Sequence, residues 1–238
     1  MLDFHLNKLL TRGGIEIIAV FIGISGGLWS EKQIELKKIL KAEKIALSSI
    51  RDEFVSDSTS LSSIVSSIEN EQKEISVFLK HISGDTSLSD EKLNSLIFEM
   101  IYFAYLTYDK SVYESLIKGA GKKIIQEDSV SSSISSIYEA TYKHLENVFD
   151  MQKDMIATRT YDAFIEGGGY LDTKRFSISE SLKLSQREMF SEVLKNKKFV
   201  TQVSFHHDTN YFILNQYKWA LKEVQGAIGI IENYLENS

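Results

Sequence analysis

Residues 29–80 read WSEKQIELKKILKAEKIALSSIRDEFVSDSTSLSSIVSSIENEQKEISVFLK, a stretch with neither proline nor glycine. Apolar side chains recur at Leu36, Leu40, Leu47, Ile50, Phe54, Leu61, Ile64, Ile68, Ile75 and Phe78, and again at Ile82. This alternation of three and four residues is the seam of a coiled-coil or bundle helix. Glu43, Asp57 and Glu71 interrupt the seam at intervals of fourteen. Polar seam residues set register or oligomer number, or simply wet an ordinary bundle helix. The Ser-rich patch Ser56–Ser67 has modest helix propensity and leaves room for a break near Asp57–Ser60.

The rest of the composition points the same way. The 238 residues contain no proline and no cysteine, where ordinary usage gives roughly a dozen prolines. Proline marks turns and edge strands and breaks helices, so its absence favours long helices over many short strands. Without cysteine there is no disulfide framework, no cysteine-ligated metal and no cysteine nucleophile. The formal net charge of −6 is unlike that of a generic nucleic-acid binder, whose domain is strongly basic.

Upstream of the seam, residues 15–29 read IEIIAVFIGISGGLW with one charge, Glu16. As a helix this spans roughly 22 Å, short of the ~30 Å hydrocarbon core. Leu2, Leu6, Leu9 and Leu10 extend the pattern, with Lys8 and Arg12 able to snorkel to headgroups. No small-residue cleavage site follows the run, so a removed signal peptide fits poorly. The segment reads as a membrane-inserted helix, against the alternative of a soluble core helix. At 100° per residue, Glu16, Ala19, Gly23, Gly26, Gly27 and Ser30 share one small, polar side, opposite Ile17, Ile18, Phe21, Ile24 and Leu28. Gly23 and Gly27 form a GxxxG pair that permits close helix approach in lipid. Two readings stay open: a self-associating helix whose copies line a pore with Glu16, and a plain anchor. Five lysines between Lys32 and Lys44 outnumber Lys8 and Arg12 before the segment, which places the large domain in the cytoplasm. The domain division is therefore 1–30, membrane helix, and 31–238, helical cytoplasmic domain.

Further along, Ser87–Glu91 signals a second helix running to about Tyr108, with the apolar centre Leu96–Leu106. Ser111–Lys118 reads as a short helix ending at Gly119 and Gly121. Asp128 or Ser129 is expected to cap a long helix to about Ile165, and Gly167–Gly169 a loop. Ser177 or Ser179 is expected to start a helix to about Val203, and Asp208 to cap the last one. The last helix carries Leu214, Tyr217, Leu221, Val224, Ile228, Ile231 and Leu235. The fold class is all-α.

Chemistry-bearing motifs are few. KGAGKK at Lys118–Lys123 lacks the spacing and the Ser or Thr of a phosphate-binding P-loop. His206 and His207 are adjacent, and adjacent helical residues diverge by about 100°, so they converge poorly on a metal. No catalytic signature occurs, so the chain reads as a non-enzyme without cofactor. Lys195, Lys197 and Lys198, with Lys122 and Lys123, are the candidate contacts for an anionic ligand such as a nucleotide or a DNA oligomer. The opposing reading is solvated helix ends.

IEIIAVFIGISGGLWSEK runs into a Lys/Glu-rich helix and is followed by SVYESLIKGAGKKIIQEDSVSSSISSIYEATY and a heptad-like last helix after VLKNKKF. This order resembles an uncharacterised bacterial family of small proteins with one N-terminal transmembrane helix and a helical cytoplasmic domain. Trp29, Tyr113, Leu116, Gly119, Ile125, Ile137 and Tyr138 stand where that family's diffuse motif falls. The layout is also similar to transmembrane effectors of bacterial anti-phage systems such as Hailong. That resemblance implies a ligand-gated channel in the bacterial inner membrane, a homo-oligomer such as a tetramer. The alternative is a membrane-tethered helical scaffold or sensor.

Overall fold

The computed structural model describes the backbone of residues 2–100, 106–119, 124–169, 189 and 191–237. Side chains within these are described from residue 31 onward and at Trp29, apart from 94, 98, 99, 116–119 and 157. Among the described residues every regular element is helical: α1 (Leu2–Ile82), α2 (Asp90–Met100), α3 (Ser111–Gly119), α4 (Asp128–Ser136), α5 (Tyr142–Lys153), α6 (Tyr161–Glu166), α7 (191–195) and α8 (Lys197–Asn237). α4, α5 and α6 form one rod, joined by π-helical turns at Ile137–Thr141 and Asp154–Thr160.

α1 has 81 residues, about 120 Å of helix. The break anticipated near Asp57–Ser60 does not occur. Leu61, Ile64 and Ile68 are buried there, and seam burial outweighs the few tenths of a kcal/mol per residue that serine costs. The hydroxyls of Thr59 and Ser60 also donate back to the carbonyls of Val55 (3.0 Å) and Ser56 (3.1 Å), so they compete little for the ladder. The helix ends at Gly84, whose φ of 86° is left-handed, with the Asp85 amide returning to the Lys80 carbonyl at 2.9 Å.

α2 starts as expected, with Ser89 Oγ accepting from the Lys92 amide at 3.2 Å. It does not continue to Tyr108: residues 106–110 are non-helical, and Asp109 instead accepts from the Ser111 amide at 2.8 Å to open α3. At the head of α4 the N-cap position belongs to Glu127, without a side-chain cap bond. Asp128 stands in the first turn, and Ser129 donates to Glu127 at 2.9 Å. The Gly167–Gly169 loop is present. Gly168 has φ 92°, and a Cβ at Gly169 would lie 2.5 Å from the Phe164 ring. The expected helix start at Ser177 or Ser179 lies outside the described residues. The expected boundary between Val203 and Asp208 is absent, because α8 runs unbroken from Lys197. Its cap is Asn196, whose Oδ1 accepts from the amides of Lys198 (2.9 Å) and Phe199 (3.1 Å).

α1, the α4–α6 rod and α8 pack side by side. Glu53 pairs with Tyr138 and Asp57 with Tyr142, so the rod runs parallel to α1. Glu43 meets Tyr234 and Glu71 meets His206, so α8 runs antiparallel. Two apolar cores result. The larger joins Leu47–Ile68 of α1 to Val130–Ile156 of the rod and Ile213–Ile231 of α8. The smaller joins Ile75 and Phe78 to α2, Phe164, Val193, Phe199 and Val203.

Candidate functional site

The three seam carboxylates all face the interior, each toward a different partner. Glu43 is 1% exposed. Its Oε1 accepts from the Gln126 backbone amide at 2.6 Å and the Tyr234 hydroxyl at 3.1 Å. One carboxylate thus ties α1, the strap before α4 and the last turns of α8. Burial, and then this bond to Glu43, raise the Tyr234 phenol above its ordinary range.

Asp57 is buried one step down the seam and accepts from the Tyr142 hydroxyl. Tyr138, one turn before, donates to Glu53 at 2.8 Å. The π turn Ile137–Thr141 keeps Ile137, Tyr138 and Thr141 all buried, and Tyr142 follows directly. Tyr113 stacks on Tyr138 at 4.3 Å and 12°, Tyr108 packs on Tyr142 at 4.3 Å, and Phe54 meets both inner rings. The outer edge closes with Tyr108 donating to Glu146 and the Lys110 ammonium 4.9 Å over the Tyr108 ring. Burial pushes the Asp57 carboxyl above the usual carboxylate range, against the opposing pull of the Tyr142 hydroxyl. Glu53 is raised for the same leading reason. The Tyr138 and Tyr142 phenols are raised by burial and by donating to carboxylates.

Glu71 faces His206, which is wholly buried, with Oε1 and Nε2 3.1 Å apart. The alignment of a hydrogen bond is not met: neither atom, nor His206 Nδ1, has a hydrogen-bond partner in the protein. Asn210, one turn along α8 and also wholly buried, has both amide atoms without a partner, and Gln152 Oε1 is in the same condition. Glu71, His206 and Asn210 fall between the members of the two apolar cores on α1 and α8, so they form a polar layer separating them, whereas Gln152 lies within the larger core's stretch of the rod. Each unmet buried group costs about 1–3 kcal/mol. The site is polar enough to hold ordered water. His207 turns away and bonds Ser76 Oγ at 2.9 Å.

Of the candidate ligand contacts, Lys195 pairs with Glu192 at 3.1 Å and Lys198 with Glu166 at 2.5 Å. Lys197 stands in the first turn of α8. Lys122 and Lys123 lie outside the described residues. Glu16, Ala19, Gly23, Gly26, Gly27 and Ser30 lie on the α1 backbone, and their side chains are outside the description. Among the described residues no helix is long and apolar enough to cross a membrane; the side chains of residues 15–28, the segment expected to do so, are not among them.

The tyrosine ladder was not singled out by sequence reasoning. Its signal was present: Tyr138 and Tyr142 sit one turn apart, opposite two acids, Glu53 and Asp57, with the same spacing. No protein-family model matches the chain, no curated protein matches its sequence, and no solved structure matches its fold.

Proposed function

We propose that the chain is a homo-oligomeric bacterial inner-membrane protein acting as a ligand-regulated pore or membrane effector, with a role in anti-phage defence. The observation that carries the reading is the uncovered continuation of the α1 seam. From Glu43 onward the seam is buried by α8 and the rod. Before Glu43 the same helix continues, but Trp29 is 67% exposed and Leu36 and Leu40 are also exposed. An apolar seam that outruns its own bundle invites packing against copies of itself. It leads directly into the glycine-containing segment 15–29, so a tilt or rotation of the bundle is passed to that segment without a hinge.

In this reading Glu16, Gly23, Gly27 and Ser30 pack or line the pore, and Lys32–Lys44 meet anionic headgroups. A nucleotide or DNA oligomer binds at Lys195, Lys197 and Lys198, where the start of α8 also favours an anion. Such a ligand shifts the closed–open equilibrium only if it binds one state better. In the second reading the chain is a membrane-tethered scaffold or sensor and the first helix only an anchor.

Fractionation followed by bilayer conductance tests both. Full-length chain that stays soluble without detergent removes both. Membrane-bound chain without conductance leaves the anchor. Gly23→Leu is expected to abolish conductance, and Glu16→Gln to change ion selectivity. Replacement of Lys195, Lys197 and Lys198 by Ala is expected to abolish salt-dependent binding of short DNA; unchanged binding removes that site.

A further inference from the structure

The outer face of α8 carries a pattern that the chain's own packing uses only at Trp219, whose ring meets His144 edge-on at 5.5 Å. Phe205, Phe212 and Trp219 recur every seven residues and are exposed. The stripe then continues through two glycines, Gly226 and Gly229, also exposed. Glycine is the poorest helix former after proline, and it is usually kept in a helix where something approaches closely. Here a Cβ at either glycine would meet nothing within 4 Å. Nothing among the described residues therefore calls for them.

We infer that this face is the contact surface for a second copy of the chain, packed antiparallel along α8. The pattern is self-complementary in that direction. The register that sets Phe205 against Gly229 of the second copy also sets Asp208 against Gly226, Phe212 against Lys222, and Asn215 against Trp219. Every position in this register is exposed. Each large ring meets a glycine, a lysine stem or an amide, and Trp219 finds an acceptor in Asn215. Asp208 comes within one turn of Lys222. A parallel pairing instead sets Asp208 on Asp208 and Lys222 on Lys222, with ring against ring. Such a two-fold contact is isologous and closes at two copies. The stripe is about 36 Å long and about 11 Å wide, on the order of 400 Å² per chain. That is below the ~800 Å² per partner of stable complexes, so the pair is concentration-dependent.

This inference does not rest on the membrane reading. Because α8 is antiparallel to α1, the two α1 amino-terminal ends of such a pair point in opposite directions. The pair is the form in which the two chains do not share one bilayer.

The chain has no cysteine, so introduced thiols report the contact directly. Full-length chain in detergent, carrying Phe205→Cys and Gly229→Cys together, is expected to form an inter-chain disulfide on oxidation. The two positions are about 36 Å apart within one chain and cannot close on themselves. Either single variant is expected to stay uncross-linked. Sedimentation across the micromolar range is expected to show a dimer that Gly226→Leu weakens at least about tenfold, while Tm holds or rises by about 2–4 °C. Three results each overturn the inference: monomer at every concentration, cross-linking of Phe205→Cys alone as efficient as that of the double variant, or association unchanged in Gly226→Leu. Conductance and fractionation of the unsubstituted chain judge the membrane reading separately.

Discussion

Glu43 and Glu71 occupy equivalent steps of one seam, yet their surroundings are opposite. Glu43 receives two donors, one from the backbone and one from a tyrosine, and ties three parts of the chain together. Glu71 stands 3.1 Å from a buried histidine with no aligned bond, amid amides that lack partners. The same residue type at the same seam position is thus a clasp at one end of the bundle and a fault between two apolar cores at the other. Local opening is expected at the fault first, whereas the end nearest residues 15–29 is held tight. The proposed transmission of motion along α1 would use that asymmetry: a firm grip beside residues 15–29 and a looser layer farther away.

The comparison breaks most clearly if the clasp is removed. Glu43→Leu removes the charged acceptor that the Gln126 amide and the Tyr234 hydroxyl share, and is expected to cost about 3 kcal/mol in urea unfolding. Glu43→Gln keeps an acceptor oxygen and is expected to cost less than about 1 kcal/mol. Equal losses from the two variants would mean that the tie is packing rather than hydrogen bonding.

At the fault the same kind of exchange has the opposite sign. Asn210→Leu keeps the branching of the side chain and removes two unmet polar atoms, so it is expected to stabilise by about 2 kcal/mol. A loss of stability in the same unfolding experiment would mean that ordered water meets Asn210, making the layer a hydrated site rather than a fault.

Asp57 lies between the two extremes, with one donor and a carboxyl raised by burial. A carboxyl whose folded pKa is raised favours the fold while protonated, and that contribution is lost as pH rises through the folded value. Asp57→Asn is therefore expected to be more stable than the natural chain at pH 7. The gap is expected to close as pH falls through the raised value toward the ordinary aspartate range. A gap independent of pH, followed by thermal melts, would assign the effect to shape rather than charge.

Much of this asymmetry was legible in the sequence, but not its sign. The seam and its three acids follow from spacing alone, because heptad positions are a property of the chain. Which acid would find donors is not, since Gln126 and Tyr234 lie 83 and 191 residues away from Glu43. The Ser-rich patch misleads because propensity counts tenths of a kcal/mol per residue, while a buried Ile or Leu contributes about 1.5–3 kcal/mol. The boundary expected at Asp208 fails for a related reason. Asp is a good cap in isolation, but Ile213 and Val203 are both buried on one helix face, and that face leaves no room for a break between them. Asn196 then caps from a position where no apolar periodicity had yet begun. The candidate ligand lysines were legible as residues, and so was Glu192 three places before Lys195, whereas Glu166 lies 32 residues from Lys198 and meets it only in the folded chain.

That last pair gives the smallest effect. Lys198 and Glu166 are both more than half exposed, and an exposed ion pair contributes about 0–1 kcal/mol at most. Lys198 also sits in the first turn of α8, where the helix dipole disfavours a cation, so the pair partly offsets a local penalty. Lys198→Ala is expected to change stability by less than about 0.5 kcal/mol, with the small remaining difference shrinking further at high salt. A loss several times larger, insensitive to salt, would show that Lys198 anchors the Gly167–Gly169 loop to α8 by packing. The smaller core would then be held by more than its apolar side chains, and the contrast between the two ends of the bundle would narrow.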